Sequence, residues 1–143
     1  MPETNPLLET FPQQVLVAPP KYSIPDEGDF RRWLFVGEEG RVRSATAQVL
    51  ASRININARA VGSNIGKALQ IISLPLIYWA ERIIFMDDQA YQQAQDLLAS
   101  NNLDKATMVA KATILSIPKT WPYMTYDLME TLKQQLPELA LTT

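Results

Sequence analysis

The chain has 143 residues, of which 47% are apolar and 20% charged, and its net charge is −2. This length predicts one domain with a core of its own, and the slight excess of acid disfavours charge-driven binding to nucleic acid. The sequence contains no cysteine and no histidine. It therefore excludes disulfides, thiolate zinc sites, a cysteine nucleophile and a Ser-His-Asp triad, and we expect neither a metal nor a cofactor.

No apolar run reaches the roughly 18 residues that a transmembrane helix needs. The longest run, residues 71–80, is interrupted by Ser73 and Pro75. Residues 1–10 also lack the basic and apolar regions of a signal peptide. We therefore expect a cytoplasmic protein, or a component of a particle assembled inside the cell, with no membrane partner.

The first 29 residues combine prolines with large apolar side chains. Six of the ten prolines lie in residues 1–25, a density that disfavours helix and favours extended chain. Because disordered tails are usually poorer in apolar residues, we predict an extended arm that docks on its own domain or on a neighbouring chain. The turn-forming run at 26–29 separates this arm (1–29) from an α/β domain (30–143). The candidate docking residues of the arm are Leu7, Leu8, Phe11, Val15, Leu16 and Val17.

After the arm, strand-like and helix-like patterns alternate. Strands are predicted at residues 32–36, 54–60, 82–86 and 112–115. Helices are predicted at residues 43–53, 64–72 and 75–79, after Asp87-Asp88, and after Thr125. This alternation predicts a single four-stranded parallel sheet flanked by helices.

Two short motifs have a structural and a functional interpretation. Asp87 and Asp88 precede an apolar helical stripe, which favours helix capping over a pair of metal ligands. Residues 62–68 superficially resemble a Walker A loop, but three residues separate the glycines where the motif needs four, and Ala68 replaces its Ser or Thr. A turn leading into a helix is the favoured interpretation of that segment.

Three segments carry a family pattern in the correct order. Residues 34–48 read LFVGEEGRVRSATAQ, residues 78–86 read YWAERIIFM and residues 115–124 read LSIPKTWPYM. Together they resemble the low-molecular-weight protein tyrosine phosphatase family, in its short branch, over residues 31–136. The resemblance implies that the loop before the first helix binds phosphate through backbone N–H groups and Arg43.

The chain departs from this family at both catalytic positions. Gly37 stands where the family has its cysteine nucleophile, so covalent phosphoryl transfer by the family route is excluded. Lys119 and Thr120 stand where its acid aspartate is found, and Gly40 replaces the usual asparagine of the loop. The resemblance therefore implies a pseudophosphatase with no catalytic residues, and we expect no enzyme activity.

The remnant loop retains Gly40, Arg41, Arg43 and Ser44 as candidate anion-binding residues. The carboxylates at 38 and 39 oppose this role, because one carboxylate about 5 Å from a phosphate repels it by roughly 3 kcal/mol at an effective dielectric of 20. A helix N-terminus stabilises a bound anion by only about 0.3–2 kcal/mol. We expect the two arginines to pair with these or nearby acids, so that the loop closes on itself.

Trp121 and Tyr123 belong to the segment that the resemblance places over the phosphate loop. They are candidates either to plug the pocket or to bind a protein partner, since aromatic residues dominate interface hot spots. Trp33 and Trp79 are expected in the core.

We expect a non-catalytic structural or assembly protein whose arm docks on neighbouring subunits, in a homo- or hetero-oligomer such as a phage virion. The first alternative is a pseudophosphatase that binds a small phosphorylated or nucleotide ligand through the remnant loop. The second alternative, an enzyme with another mechanism, is disfavoured by the absence of cysteine and histidine.

Overall fold

A computed structural model describes residues 31–140 of the chain. The predicted arm, with its six apolar docking candidates, lies outside the described residues. Within the described part, no helix is long and apolar enough to cross a bilayer.

The sheet consists of four parallel strands, as predicted. These are β1 (Arg32–Gly37), β2 (Asn57–Gly62), β3 (Arg82–Phe85) and β4 (Ala112–Ile114), in the order β2-β1-β3-β4. β1 lies in the centre and is buried from Trp33 to Gly37. Its continuous apolar sequence suits a strand whose two faces are both covered.

Five α-helices and one 3₁₀ helix surround the sheet. They are α1 (Arg43–Ser52), α2 (Leu74–Trp79), α3 (Asp88–Ser100), α4 (Ala106–Lys111), α5 (Tyr126–Gln135) and the 3₁₀ helix Pro137–Ala140. Asp87 caps α3 as predicted, because its Oδ1 accepts a hydrogen bond of 2.8 Å from the Ala90 N–H. Thr125 takes the N-cap position of α5, but its Oγ1 donates to the Pro122 carbonyl at 3.0 Å.

The side chains of β1 alternate between two separate hydrophobic cores, one on each face of the sheet. Trp33 and Phe35 pack with α1 and α5 on one face of the sheet. Leu34 and Val36 pack with α2, α3 and α4 on the other face. The predicted arrangement of helices around one parallel sheet is therefore confirmed. Trp33 is buried as expected, whereas Trp79 is only partly buried.

The helix predicted at residues 64–72 is wrong. Only one turn forms, closed by hydrogen bonds from the Lys67 and Ala68 N–H groups to the Asn64 carbonyl. The chain then returns to β2, where Gln70 and Ile72 bond to the two backbone groups of Gly62. Pairing with the sheet replaces continuation of the helix, so Ile65 and Leu69 are exposed and not part of an apolar stripe.

Two further boundaries differ from the predictions. β2 begins at Asn57, because the carbonyls of α1 accept the N–H groups of residues 53–56 in a turn. The short helix α4 was not predicted. Its first N–H, that of Ala106, is satisfied by Asp104 Oδ1 at 2.9 Å.

The chain itself covers the carboxyl end of both outer strands. Beside β2, the Gly62 N–H donates to the Gln70 carbonyl at 2.8 Å, and the Ile72 N–H donates to the Gly62 carbonyl at 2.9 Å. Beyond β4, the Gln135 side-chain amide accepts from the Ser116 N–H at 2.6 Å and donates to its carbonyl at 2.8 Å. We call this second arrangement the Gln135 clamp.

Candidate functional site

The loop between β1 and α1 borders a cavity at the carboxyl end of the central strand. The cavity has a volume of about 130 Å³ and is lined by residues 37–44 together with Lys119 and Trp121. Parallel α/β sheets commonly bind ligands at this end of their strands. Gly40 is required for the turn of the loop, because its φ is +75° and an added Cβ would lie 2.7 Å from the Val61 carbonyl carbon.

Gly37 leaves the floor of the cavity without a nucleophile. A Cβ added there would lie 3.4 Å from Ser44 Oγ and 3.5 Å from Met86 Cγ, which are ordinary contact distances. The backbone therefore does not require glycine at this position. Glycine at this position leaves the cavity without a side chain from residue 37, although the fold has room for one.

Arg43 begins α1 and points into the protein, with only 6% of its side chain exposed. Its Nη1 donates to Asp87 Oδ2 at 2.6 Å and to the Ile117 carbonyl at 2.8 Å. Asp87 is also the N-cap of α3, so a single carboxylate joins the starts of two helices. The expected pairing of Arg43 with a nearby acid is thus present, and Asp87 is that acid.

Glu38 is surrounded by donors and only 12% of its side chain is exposed. Its Oε1 accepts from Lys119 Nζ at 2.6 Å. Its Oε2 lies 3.3 Å from Asn64 Nδ2, 3.5 Å from Gln93 Nε2 and 3.8 Å from Lys67 Nζ. The hydrogen bond from Lys119 outweighs the opposing effect of burial and lowers the pKa of Glu38 to about 2.

The four predicted anion-binding residues all border the cavity, but they are not equally available to a ligand. Arg43 is bonded to Asp87, whereas Arg41 is exposed and forms no ion pair with any residue from 31 to 140. Ser44 Oγ is buried without a hydrogen-bond partner among the described residues. It lies beside Gly37, close to the position that a side chain at 37 would occupy.

Trp121 and Tyr123 have different environments. Trp121 is partly buried, lines the cavity and packs against the core formed with α1 and α5. Tyr123 is 51% exposed. The Met124 N–H donates to Thr46 Oγ1 at 3.0 Å and so ties this segment to α1. Trp121 therefore narrows the cavity, and Tyr123 projects at the surface.

Several members of the site were not predicted from the sequence. The sequence pattern marks Lys119 only as the replacement of an acid, and it does not indicate the contacts of Lys119, Asn64 and Gln93 with Glu38. These residues belong to segments that follow different strands of one parallel sheet. Their approach to Glu38 could have been anticipated only from the rule that such strands end at a common edge.

No family model matches the chain, and no curated protein or solved structure matches it either. Within residues 31–140, no group of three acidic, histidine or cysteine side chains is arranged to hold a metal ion.

Proposed function

We propose that this chain is a non-catalytic assembly protein built on a low-molecular-weight-phosphatase-like fold, whose residues 1–29 dock on neighbouring subunits. The observation that best supports the loss of catalysis is the ion pair between buried Arg43 and Asp87. An arginine whose Nη1 is bonded to an internal carboxylate is poorly placed to clamp a phosphate in bidentate fashion. The loop has become a structural connection between α1 and α3.

The rest of the loop supports the same proposal. Covalent phosphoryl transfer needs a nucleophile, and Gly37 provides none. A general acid must release a proton to the leaving group, whereas the Lys119 ammonium is bonded to Glu38 and Gln89 at 2.6 and 2.9 Å. The negative charge of Glu38 lies in the loop and the positive charge of Lys119 lies opposite it, so the two charges neutralise each other within the chain.

The proposed partner contacts combine the arm with part of the domain surface. Apolar residues between prolines suit an arm that binds at low ordering cost, because proline already restricts the unbound chain. Tyr123, and Tyr126 at the start of α5, are exposed and offer the kind of side chain that anchors protein interfaces. A large particle such as a virion is one setting for such an arm.

The proposal is tested in the full chain by replacing Leu7, Leu8 and Phe11 with serine. The native chain should form a multimer by native mass spectrometry, and the triple variant should release monomer with an unchanged circular dichroism spectrum. A control with Thr4→Ser and Thr10→Ser should assemble normally. An identical mass distribution for the triple variant and the native chain would overturn docking by the arm, and hydrolysis of an aryl phosphate above background would overturn the loss of catalysis.

One observation favours a second candidate function, the binding of a phosphorylated ligand. Ser44 Oγ is buried without a partner among the described residues, in a cavity that Arg41 also borders. A phosphate oxygen could accept from this hydroxyl and from the guanidinium of Arg41. Inorganic phosphate or phenyl phosphate at millimolar concentration should then raise the melting temperature.

The matched variants for this second function are Arg41→Ala and Ser44→Ala, each of which should abolish the increase in melting temperature. Arg43 is unsuitable because its removal would break the pair with Asp87. Arg53→Ala, which removes an exposed arginine next to the far end of α1, should preserve the increase. Absence of any increase in the native chain would exclude this function.

A further inference from the structure

The outer edge of β2 has an open stretch next to a cavity. In a parallel ladder, the backbone groups of alternate residues face opposite sides of the strand. The Asn57 N–H faces β1, because it donates to the Arg31 carbonyl at 2.8 Å, and both backbone groups of Gly62 face the outer side. By the same alternation, the N–H and C=O groups of Ala58 and Ala60 face outward, and no other residue of 31–140 pairs with them.

A second cavity, also of about 130 Å³, lies along this edge. Its lining includes Gln48 from α1 and Leu76 from α2, which lie on opposite faces of the sheet, together with Arg59 and Ala60 of the strand itself. Gln70 also lines it, and its Nε2 donor is buried without a partner among the described residues. The edge is thus a groove between two helices that contains unused backbone and side-chain hydrogen-bonding groups.

We propose that residues 14–17 of the same chain occupy this groove as an added parallel or antiparallel strand beside β2. The segment reads Gln-Val-Leu-Val, and two of its residues are β-branched, which suits strand formation. Extended peptides bind open sheet edges through main-chain hydrogen bonds and place alternate side chains in flanking pockets. The carbonyls of the segment would also supply acceptors for the Gln70 amide.

The point at which the arm joins the domain favours the chain's own segment over that of another copy. Arg31, the first described residue, is hydrogen-bonded to the first residue of β2. Residues 18–30 can span up to about 40 Å, whereas the six residues of β2 extend over only about 20 Å. The linker therefore reaches every position along the groove, and tethering gives the segment a high effective concentration there.

This inference concerns the same arm as the proposed function, but it gives a docking site only to the second group of apolar residues in that arm. Val15, Leu16 and Val17 would dock on the chain's own domain, and Leu7, Leu8 and Phe11 would remain for the partner. The two ideas can therefore fail separately. Assembly that depends on the first cluster can persist without any contact between the second cluster and β2.

The absence of native cysteine allows a direct test by disulfide trapping in the full chain. Ala60→Cys is combined with single cysteines at positions 14, 15, 16 and 17, and Cu²⁺-phenanthroline is the oxidant. Because a disulfide requires Cβ atoms about 3.5–4.5 Å apart, cross-linking should be strong at alternate positions and weak between them. The product should migrate as a monomer on non-reducing gels, since the bond forms within one chain.

Ile114→Cys on the opposite edge strand is the matched control, because Ile114 is also exposed at a sheet edge. It should cross-link at least about tenfold less than Ala60→Cys with the same arm positions. Equal cross-linking to both edges, or none to Ala60→Cys, would overturn the proposal. A disulfide-linked dimer as the main product would overturn its assignment to the same chain.

Hydrogen exchange provides a second measurement that does not require a cysteine at the edge. The double variant Val15→Pro/Leu16→Pro removes N–H donors in either register of the added strand. It should accelerate exchange of the Ala58 and Ala60 amides by at least about tenfold, because these two amides face the added strand. The control Glu3→Pro/Thr4→Pro, at two arm residues to which no docking is assigned, should leave them protected, and unchanged exchange in both variants would contradict docking at β2.

Discussion

The two glycines of the β1–α1 loop have different physical roles. Gly40 has a φ of +75°, and an added methyl group would approach the Val61 carbonyl carbon to 2.7 Å, whereas the same group at Gly37 would make ordinary contacts. We predict that Gly40→Ala lowers the free energy of unfolding by about 2 kcal/mol or more, because of backbone strain and steric overlap. Gly37→Ala should change it by less than about 1 kcal/mol. Urea denaturation of both variants measures this difference, and equal losses would contradict it.

The Arg43–Asp87 pair should be coupled in stability. Arg43→Met leaves the Asp87 carboxylate without its cation, so we expect a loss of about 2–4 kcal/mol. Asp87→Asn removes the charge but keeps a side-chain oxygen that can cap α3. The double variant should therefore lose less stability than the sum of the two single variants.

Chemical denaturation of the four chains in this cycle gives the coupling energy. Arg41→Met is the matched control, because Arg41 is exposed and makes no ion pair among the described residues. It should change the free energy of unfolding by less than about 0.5 kcal/mol. Strict additivity of the two single variants would show that the pair does not stabilise the loop.

Among the helices, α4 and α2 are joined by Lys111, which lies at the end of α4 and binds the end of α2. Its Nζ donates to three carbonyls, at 2.8 Å to Ile77, 3.3 Å to Tyr78 and 2.6 Å to Ala80. Burial, followed by the charge of Arg32, lowers the pKa of Lys111. The ammonium satisfies carbonyls at a helix C-terminus, where a positive charge is favoured.

We predict that Lys111→Met lowers the free energy of unfolding by about 1–3 kcal/mol, because the partly buried carbonyls of Ile77 and Ala80 lose their donor. Thermal and urea denaturation measure the loss. Lys105→Met, at the other end of α4, removes only an exposed hydrogen bond to Gln95 and should cost less than about 0.5 kcal/mol. Similar losses in the two variants would show that Lys111 does not stabilise the α2–α4 junction.

The elements that were predictable from the sequence are those whose pattern reflects burial on the sheet. β1 and β3 are short apolar runs in the centre, and α3 and α5 have clear apolar stripes. The failed helix at 64–72 has apolar residues at helical spacing, but bonds from Gln70 and Ile72 to Gly62 hold the chain along β2. Those hydrogen bonds form because the tertiary fold brings this segment beside β2, and the local spacing of apolar residues cannot predict that.

Glu38 connects its own loop with three segments that are distant from it in sequence. Its carboxylate contacts the turn after β2, α3, and the segment that contains Lys119. The pKa of Glu38 is lowered from 4.5 to about 2, so the folded state favours the ionised form. The resulting stability is fully present above about pH 4.5 and is lost progressively as the pH falls towards 2.

We predict that ionised Glu38 contributes about 1–2 kcal/mol to the free energy of unfolding. This is less than the pKa shift alone would give, because Lys119 is 45% exposed and its charge is screened by solvent. Glu38→Gln should be less stable than the native chain at pH 6, and the difference should shrink by pH 3. Free energies of unfolding at pH 6, 4.5 and 3 measure it. Glu39→Gln, an exposed neighbour, should keep the native pH dependence, and a constant difference for Glu38→Gln would contradict the prediction.

The location of the candidate site was predictable, but most of its partners were not. The residues from Gly37 to Ser44 form a connection between strand and helix that can be recognised in the sequence, and they do line one cavity. The expectation that the loop closes on itself through its own charges is wrong, because Arg43 pairs with Asp87 and Glu38 with Lys119, and Arg41 forms no ion pair among the described residues. The identities of Asp87 and Lys119 as partners depend on which strands are neighbours, and the charge pattern alone does not reveal that.

The Gln135 clamp limits how long a strand can be added to the edge of this sheet. A side-chain amide occupies both hydrogen-bonding groups of Ser116, and Gln70 and Ile72 occupy those of Gly62 on the opposite edge. The open part of each edge is therefore short, because the clamp lies just beyond the three residues of β4 and Gly62 is the last residue of β2, so an added strand can form only a short ladder. Edge-to-edge pairing between copies of the chain should therefore be weak, which disfavours the extended ladders from which fibres grow.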